Sequence, residues 1–346
     1  MNNWNEYLAS LGARQAAGQI QDFGSTLGVA ELTPGFVAIV PDLGLIAVSG
    51  DDAASFLHSQ LTNDVEHLAP GEARMAGYCS PKGRLLASFL MWRSPDAVYL
   101  QLPSELQPAL QKRLSMFVLR AKAKLADATP GQVLLGFGGH GAEPALRAIF
   151  GAMPAAPYAV LDTPSGTLIR LPDAFGAPRY QWLTTAETAE FALPELAGCL
   201  ALGGADAWQL AAIHAGIASI TQKTQDQFVP QMVNFELLGA VNFRKGCYPG
   251  QEIVARSQYL GKLKRRTALA SVGAQAQAGD EVFAADDPGQ PCGMVVNGAP
   301  NGTGGSDVLV EMKLAALEQG DVHLASANGP PLVFLPMPYP LDALAL

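Results

Sequence analysis

The constraint that bears hardest on the fold is a change of pattern near Lys264. Beyond it, strand-like runs follow one another with only turns between them: RRTALASV, GDEVFAA, CGMVVNGA, DVLVEMKL and DVHLAS, with DDPGQP and PNGTGG among the separators. Short β-rich runs broken by Gly, Pro, Asn and Asp read as a small all-β barrel, here of five to seven strands. Before Lys264 the chain alternates strand-like and helix-like stretches. That mixture, with hairpins in it, reads as α+β and not as a doubly wound parallel sheet.

A chain of 346 residues exceeds what one core usually holds. GFVAIV and LGLIAVSG read as two strands around the turn Pro41-Asp42. DDAASFLHSQL reads as a helix with Asp51 as N-cap and Phe56, Leu57, Gln60 and Leu61 at helical spacing. Strands are expected at 73–79, 85–92 and 97–102, a helix at 104–117 and a strand near 121–126. A second unit opens at ATPGQ, with strands at 132–137, 158–162, 166–171 and 179–184 and helices at 141–150, 186–197 and 204–215. The expected division is a lead over 1–30, a first α+β unit over 31–128, a second over 129–260, the barrel over 261–336 and a tail over 337–346.

Composition narrows the class of function. The formal net charge of −9 argues against bulk nucleic-acid binding, which needs a basic field, while leaving room for a local basic patch. Cys79, Cys199, Cys247 and Cys292 lie far apart with no CxxC spacing, so no pre-built metal site is expected. The N-terminus lacks a basic-then-apolar leader, and the apolar runs are short and broken. The expectation is a cytoplasmic protein with free thiols and no membrane partner.

The segment FRKGCYPGQEIVAR, 243–256, carries the chemistry. A thiol reacts as its thiolate, and Arg244 and Lys245 place positive charge just before Cys247. PGQEIVARSQ looks like a helix start, with Pro249 suited to the first turn and Glu252 suited to the macrodipole; Pro249-Gly250 could equally form a type II turn. The five histidines, at 58, 67, 140, 214 and 323, show no pairing in sequence, so no base for the thiol is legible. Seven basic residues between Arg244 and Arg266 face one acidic residue, Glu252, a pattern suited to an anionic ligand tail or partner.

KGCYPGQEIVAR resembles the K-G-C-Y-x-G-Q-E signature of the YgfZ family of folate-binding proteins, which support iron–sulfur protein maturation. SGDDAASFLHSQLTNDVEHLAPG, CSPKGRLL, FVPQMVNFE and GAVNFRKG extend the match over roughly residues 36 to 335, and more loosely toward the aminomethyltransferase T-protein of glycine cleavage. The resemblance implies a three-domain cloverleaf: two ferredoxin-like α+β units and a C-terminal β-barrel around a central folate channel. It implies tetrahydrofolate or a one-carbon derivative as cofactor, with candidate contacts Asn63, Asp64, Lys82, Tyr180, Trp182, Phe235, Glu236 and Tyr248. Cys247 and Lys245 would carry the chemistry, with thiol and pterin sharing or flanking one cavity and any iron–sulfur contact transient. Implied partners are iron–sulfur client or assembly proteins, with tRNA-modifying enzymes served indirectly. Where the transferases carry an acidic pair, this chain reads Ala87-Ser88, so the transfer acid is missing. The alternatives are a folate-dependent aminomethyltransferase using a non-standard acid such as Asp64, and a non-catalytic folate-binding scaffold.

Overall fold

The computed structural model describes residues 2–16, 19–259 and 263–341. Lys262, counted above in the basic segment, and the last five residues of the tail lie outside them. Among the described residues, three large sheets organise the fold beside a two-stranded ribbon of Arg14–Ala16 and Gln19–Asp22. Strands Ala73–Cys79, Leu85–Arg93, Ala97–Pro103, Leu43–Ser49 and Lys124–Asp127 form, in that order, an antiparallel five-stranded sheet. Helices Ala53–His58 and Gln107–Ser115 pack on one of its faces through Phe56, Leu57, Leu110 and Leu114.

The second sheet runs Val160–Thr163, Gly166–Ala174, Ala177–Thr184, Val133–Gly138, Phe36–Ile39 and Ala201–Gly203. Its first four members match the expected strands to within a few residues, as do helices Ala142–Phe150, Ala186–Cys199 and Ala205–His214. Phe36–Ile39 differs from expectation. It does not pair with Leu43–Ser49 around Pro41-Asp42 but joins this second sheet, antiparallel to Val133–Gly138 and parallel to Ala201–Gly203. All four of its residues are buried, and a strand covered on both faces carries no alternation that would announce its sheet. The helix expected in DDAASFLHSQL begins at Ala53, so the cap position is Asp52, not Asp51; the Asp52 carboxylate accepts instead from the Lys122 amide at 2.7 Å.

After Lys264 the strands join a third sheet. Val322–Leu324, Glu281–Ala284, Gly293–Pro300, Ser306–Lys313, Arg265–Val272 and Leu332–Leu335 form one six-stranded sheet. A bridge from His323 to Pro331 brings its two ends together, so the sheet nearly closes on itself. Ala270, Val272, Val282, Val295, Val308 and Val310 fill its interior. No helix among the described residues is long and apolar enough to cross a membrane.

One electrostatic cost is built into the frame. Asp206, in the first turn of helix Ala205–His214, is pushed up to about 6 by burial first and then by Asp22 and Asp42, with Arg14 opposing. A carboxyl whose folded value exceeds its ordinary 3.8 contributes stability below that pH and loses it as pH rises through 6. Asp206→Asn is therefore expected to raise the urea midpoint at pH 7 and leave it nearly unchanged at pH 3.5, read by denaturant titrations at both values.

Candidate functional site

A cavity of about 450 Å³ opens where the three sheets meet. Leu90 and Gln101 line it from the first sheet, Arg179, Gln181 and Trp208 from the second unit, and Asn297 from the barrel. Its chemistry is set by strand Ala177–Thr184. Side chains alternate along a strand, so Arg179 and Gln181 face the cavity while Tyr180 and Trp182 point to the opposite face. There Tyr180 and Trp182 pack with Leu193, Leu196 and Phe137. The Tyr180 hydroxyl donates to Glu143 at 3.1 Å and the indole N–H of Trp182 to the Ser165 carbonyl at 2.9 Å. Tyr180 and Trp182, two of the expected folate contacts, are thus core residues.

Arg179 is 2% exposed, and its guanidinium stacks 4.9 Å from the ring centre of Trp208. Gly136, opposite Gln181 in the neighbouring strand, makes room for that indole: a Cβ there would stand 2.3 Å from Trp208. Burial lowers the guanidinium to about 10, with Tyr158 and Asp173 pulling it back up. Among the described residues its Nε and Nη1 have no hydrogen-bond partner, nor do Gln181 Nε2, Tyr158 Oη or Asp42 Oδ1. All four residues line the cavity. Buried polar atoms are nearly always paired, so five such atoms converging on one hollow make it the candidate site for a polar ligand. The other oxygen of Asp42 accepts from Gln209 at 2.8 Å, yet burial still raises this carboxyl above its ordinary range.

Ser88 lines the same wall and its hydroxyl accepts from the Ile220 amide at 2.9 Å; Ala87 faces the other side of the strand. The position that carries an acid in the transferase pattern is therefore a hydrogen-bonded serine. Asp42 supplies a buried carboxyl from a different direction, which the sequence reading did not foresee.

The remaining expected contacts lie elsewhere. Asn63 and Asp64 line a second cavity of about 630 Å³, which shares Met75 and Tyr158 with the first. Asn63 is committed to structure: its Nδ2 donates to Met75 and Gly239 carbonyls at 2.7 and 2.8 Å. Lys82 is exposed in the hairpin turn after Cys79. Phe235 is sealed in the central core. Glu236 faces Arg266 in an ion pair whose side chains are 1% and 6% exposed. Neither Phe235 nor Glu236 lines either of these two cavities, because FVPQMVNFE packs under the barrel strand Arg265–Val272, where Thr267 donates to the Met232 carbonyl.

The signature segment builds a second site. Thr62 accepts from Gly77 and donates to Ala240, and Asn242 donates to the Thr62 carbonyl, locking the chain before Lys245 against the end of helix Ala53–His58. Lys245 then donates to the His58 carbonyl and, at 3.0 Å, to that of Leu61, a cation on helix-terminal carbonyls. Its ammonium also lies 4.8 Å above the ring of Tyr248, which is buried there and not in the cavity. Burial lowers Lys245 to about 8, against the opposing pull of Asp64, Cys247 and Glu66. Tyr248 to Gln251 forms a type II turn, closed by the Gln251 amide on the Tyr248 carbonyl at 3.2 Å with Gly250 at φ 79°. Pro249 thus sits in that turn, and the helix begins only at Gln251. Cys247 stands exposed on this braced loop but lines neither cavity. The thiol is therefore part of neither chamber.

Comparisons with known proteins agree with this architecture. The chain is 35% identical over 221 residues to tRNA-modifying protein YgfZ of Edwardsiella ictaluri, covering 64% of this chain and 66% of that protein. It is 31% identical over 225 residues to tRNA-modifying protein YgfZ of Yersinia pseudotuberculosis, covering 65% and 67%. A match of 31% to the protein of that name from Shigella sonnei covers 65% and 68%. The matched stretches thus span about two thirds of these relatives. No family model matches the chain. Among solved structures, glycine cleavage system aminomethyltransferase T from Bartonella henselae superposes with a TM-score of 0.74 over 95% of this chain and 94% of its own, at 16% identity.

Proposed function

The chain belongs to the YgfZ family, and from that premise we propose that it is a tetrahydrofolate-binding accessory protein for assembly or repair of iron–sulfur clusters, with Cys247 as its reacting residue. The observation that carries the folate reading is the set of unpartnered polar atoms on the central cavity. A pterin is flat and offers both N–H donors and a carbonyl acceptor. Asp42 Oδ1 suits the donors, Arg179 and Gln181 suit the acceptors, and Lys223 on the rim suits the anionic tail. In this reading the three units form a cloverleaf around the folate. Cys247 contacts a cluster only transiently, since one thiolate cannot hold one alone. Its partners are iron–sulfur client or assembly proteins in the cytoplasm. A client role in tRNA modification accords with the name of the relatives, and the net charge of −9 disfavours direct RNA contact.

Calorimetric titration with tetrahydrofolate is expected to show saturable one-site binding, weakened by Asp42→Asn. Absence of heat at ligand concentrations far above that of the protein removes the folate reading. A second reading, folate-dependent aminomethyl transfer, is favoured by one observation: the raised Asp42 carboxyl inside the cavity. Turnover of an aminomethyl donor with tetrahydrofolate, lost in Asp42→Asn, would establish it.

A further inference from the structure

We propose that His58 is the proton acceptor for Cys247, with Asp64 holding its imidazole. The proposal rests on the reading of Cys247 as the reacting residue and goes beyond it by assigning the base. Helix Ala53–His58 ends at His58, and the bond from Lys245 to the His58 carbonyl ties the signature loop to that helix end. The imidazole is tucked in, its side chain 14% exposed. Nε2 is turned toward the loop: it lies 3.8 Å from where a Cβ on Gly246 would stand, one residue before the thiol. Nδ1 is turned the other way, 3.1 Å from Asp64 Oδ1 and 3.9 Å from Glu66 Oε2. The Asp64 contact is aligned as an ion pair and not as a hydrogen bond, so it tightens when the ring takes a proton.

One ring nitrogen therefore faces carboxylates and the other faces the loop that presents the thiol. Among the described residues, the charged and titratable groups facing the ring are Asp64 and Glu66 from the following turn, with His67 on the far oxygen of Asp64; Lys245 sits on the His58 carbonyl, and Cys247 acts on that ammonium through its charge. Asp64 stays ionised to receive the charge: burial raises it, but hydrogen bonds from the His67 amide and ring and the nearby imidazoles outweigh that. In the step, the S–H bond of Cys247 breaks, its electron pair stays on sulfur, and the proton moves to His58 Nε2. The resulting imidazolium is paired with Asp64. The Lys245 ammonium, already donating to two carbonyls, favours the thiolate through its charge.

The test is alkylation by iodoacetamide across pH 5 to 10 (assay range, roughly spanning thiol ionisation), with the Cys247 peptide followed by mass spectrometry. A Cys199→Ser background removes the other exposed cysteine. His58→Gln is expected to slow Cys247 labelling about tenfold near neutral pH, with the gap closing at the alkaline end where the thiol ionises unaided. Asp64→Asn, which leaves the imidazole in place, is expected to shift the same acid limb partway. An unchanged neutral-pH rate in His58→Gln overturns the proposal, as does a slowing that is the same at every pH, which would mark a packing effect. If His58→Gln does not fold by circular dichroism, the Asp64→Asn profile decides, and an unaltered acid limb overturns the proposal. Tetrahydrofolate titration of the same variants reads the cavity separately, so loss of the folate reading leaves this result standing.

Discussion

Replacing Arg179 by Met is expected to raise the melting temperature and, in the same preparation, to weaken tetrahydrofolate binding by on the order of a hundredfold. The two effects share a cause. The guanidinium is 2% exposed, and two of its nitrogens bond to nothing among the described residues. The stacking on Trp208 at 4.9 Å offsets only part of the desolvation of a full charge. An apolar side chain of similar length removes that cost, a gain of about 1 to 3 kcal/mol by analogy with buried charges replaced by hydrocarbon. The charge is then retained for what it does in the complex. Charge-assisted hydrogen bonds are worth about 1.5 to 3 kcal/mol each, and two of them account for the expected loss of affinity. Thermal melts with and without ligand check both halves. A variant that melts lower without ligand and binds as tightly as the parent would mean that Arg179 is structural.

Glu236→Ala is expected to do the reverse: a loss of about 3 to 5 kcal/mol of stability with folate affinity unchanged. Its partner Arg266 is buried and donates both to Glu236 and, at 3.1 Å, to the Gln231 carbonyl. Without the carboxylate the guanidinium keeps a backbone acceptor but no counter-charge. The double replacement Glu236→Leu, Arg266→Met is expected to recover most of the loss, because it removes the unpaired ion as well. Urea denaturation of the single and double variants gives the energies, and calorimetry gives the affinity. A fall in folate affinity with unchanged stability would return Glu236 to the cavity, where the family resemblance had placed it.

These residues show where sequence reading works and where it stops. Regular spacing and turn residues located most elements, though not the short strands Ala201–Gly203 and Leu332–Leu335 or helix Leu314–Gln319, and the long signature located the loop of Lys245, Cys247 and Tyr248. The choice of Tyr180 and Trp182 failed on parity. Both faces of strand Ala177–Thr184 are covered, one by core and one by cavity, so the aromatic side looked like the binding side. The usable signal was the reverse: Arg179 and Gln181, polar residues at alternate positions of an otherwise buried strand, need partners that a core does not supply. Asp42, Tyr158 and Trp208 come from three distant segments, and no local pattern joins them. The approach of His58 to the signature loop depends on Lys245 reaching a carbonyl 187 residues away, which no spacing rule encodes.

The placement of Phe36–Ile39 has a consequence for taking this protein apart. The strand precedes the whole five-stranded sheet in the chain yet is the bridge through which Ala201–Gly203 attaches to Val133–Gly138. A fragment beginning near residue 129 would leave the backbone of Val133–Gly138 unpaired along one side and Ala201–Gly203 detached. Such a bare apolar border recruits other chains. Halves of this molecule are thus expected to clump when expressed separately and to reassemble when mixed as they fold, the missing strand acting as the latch.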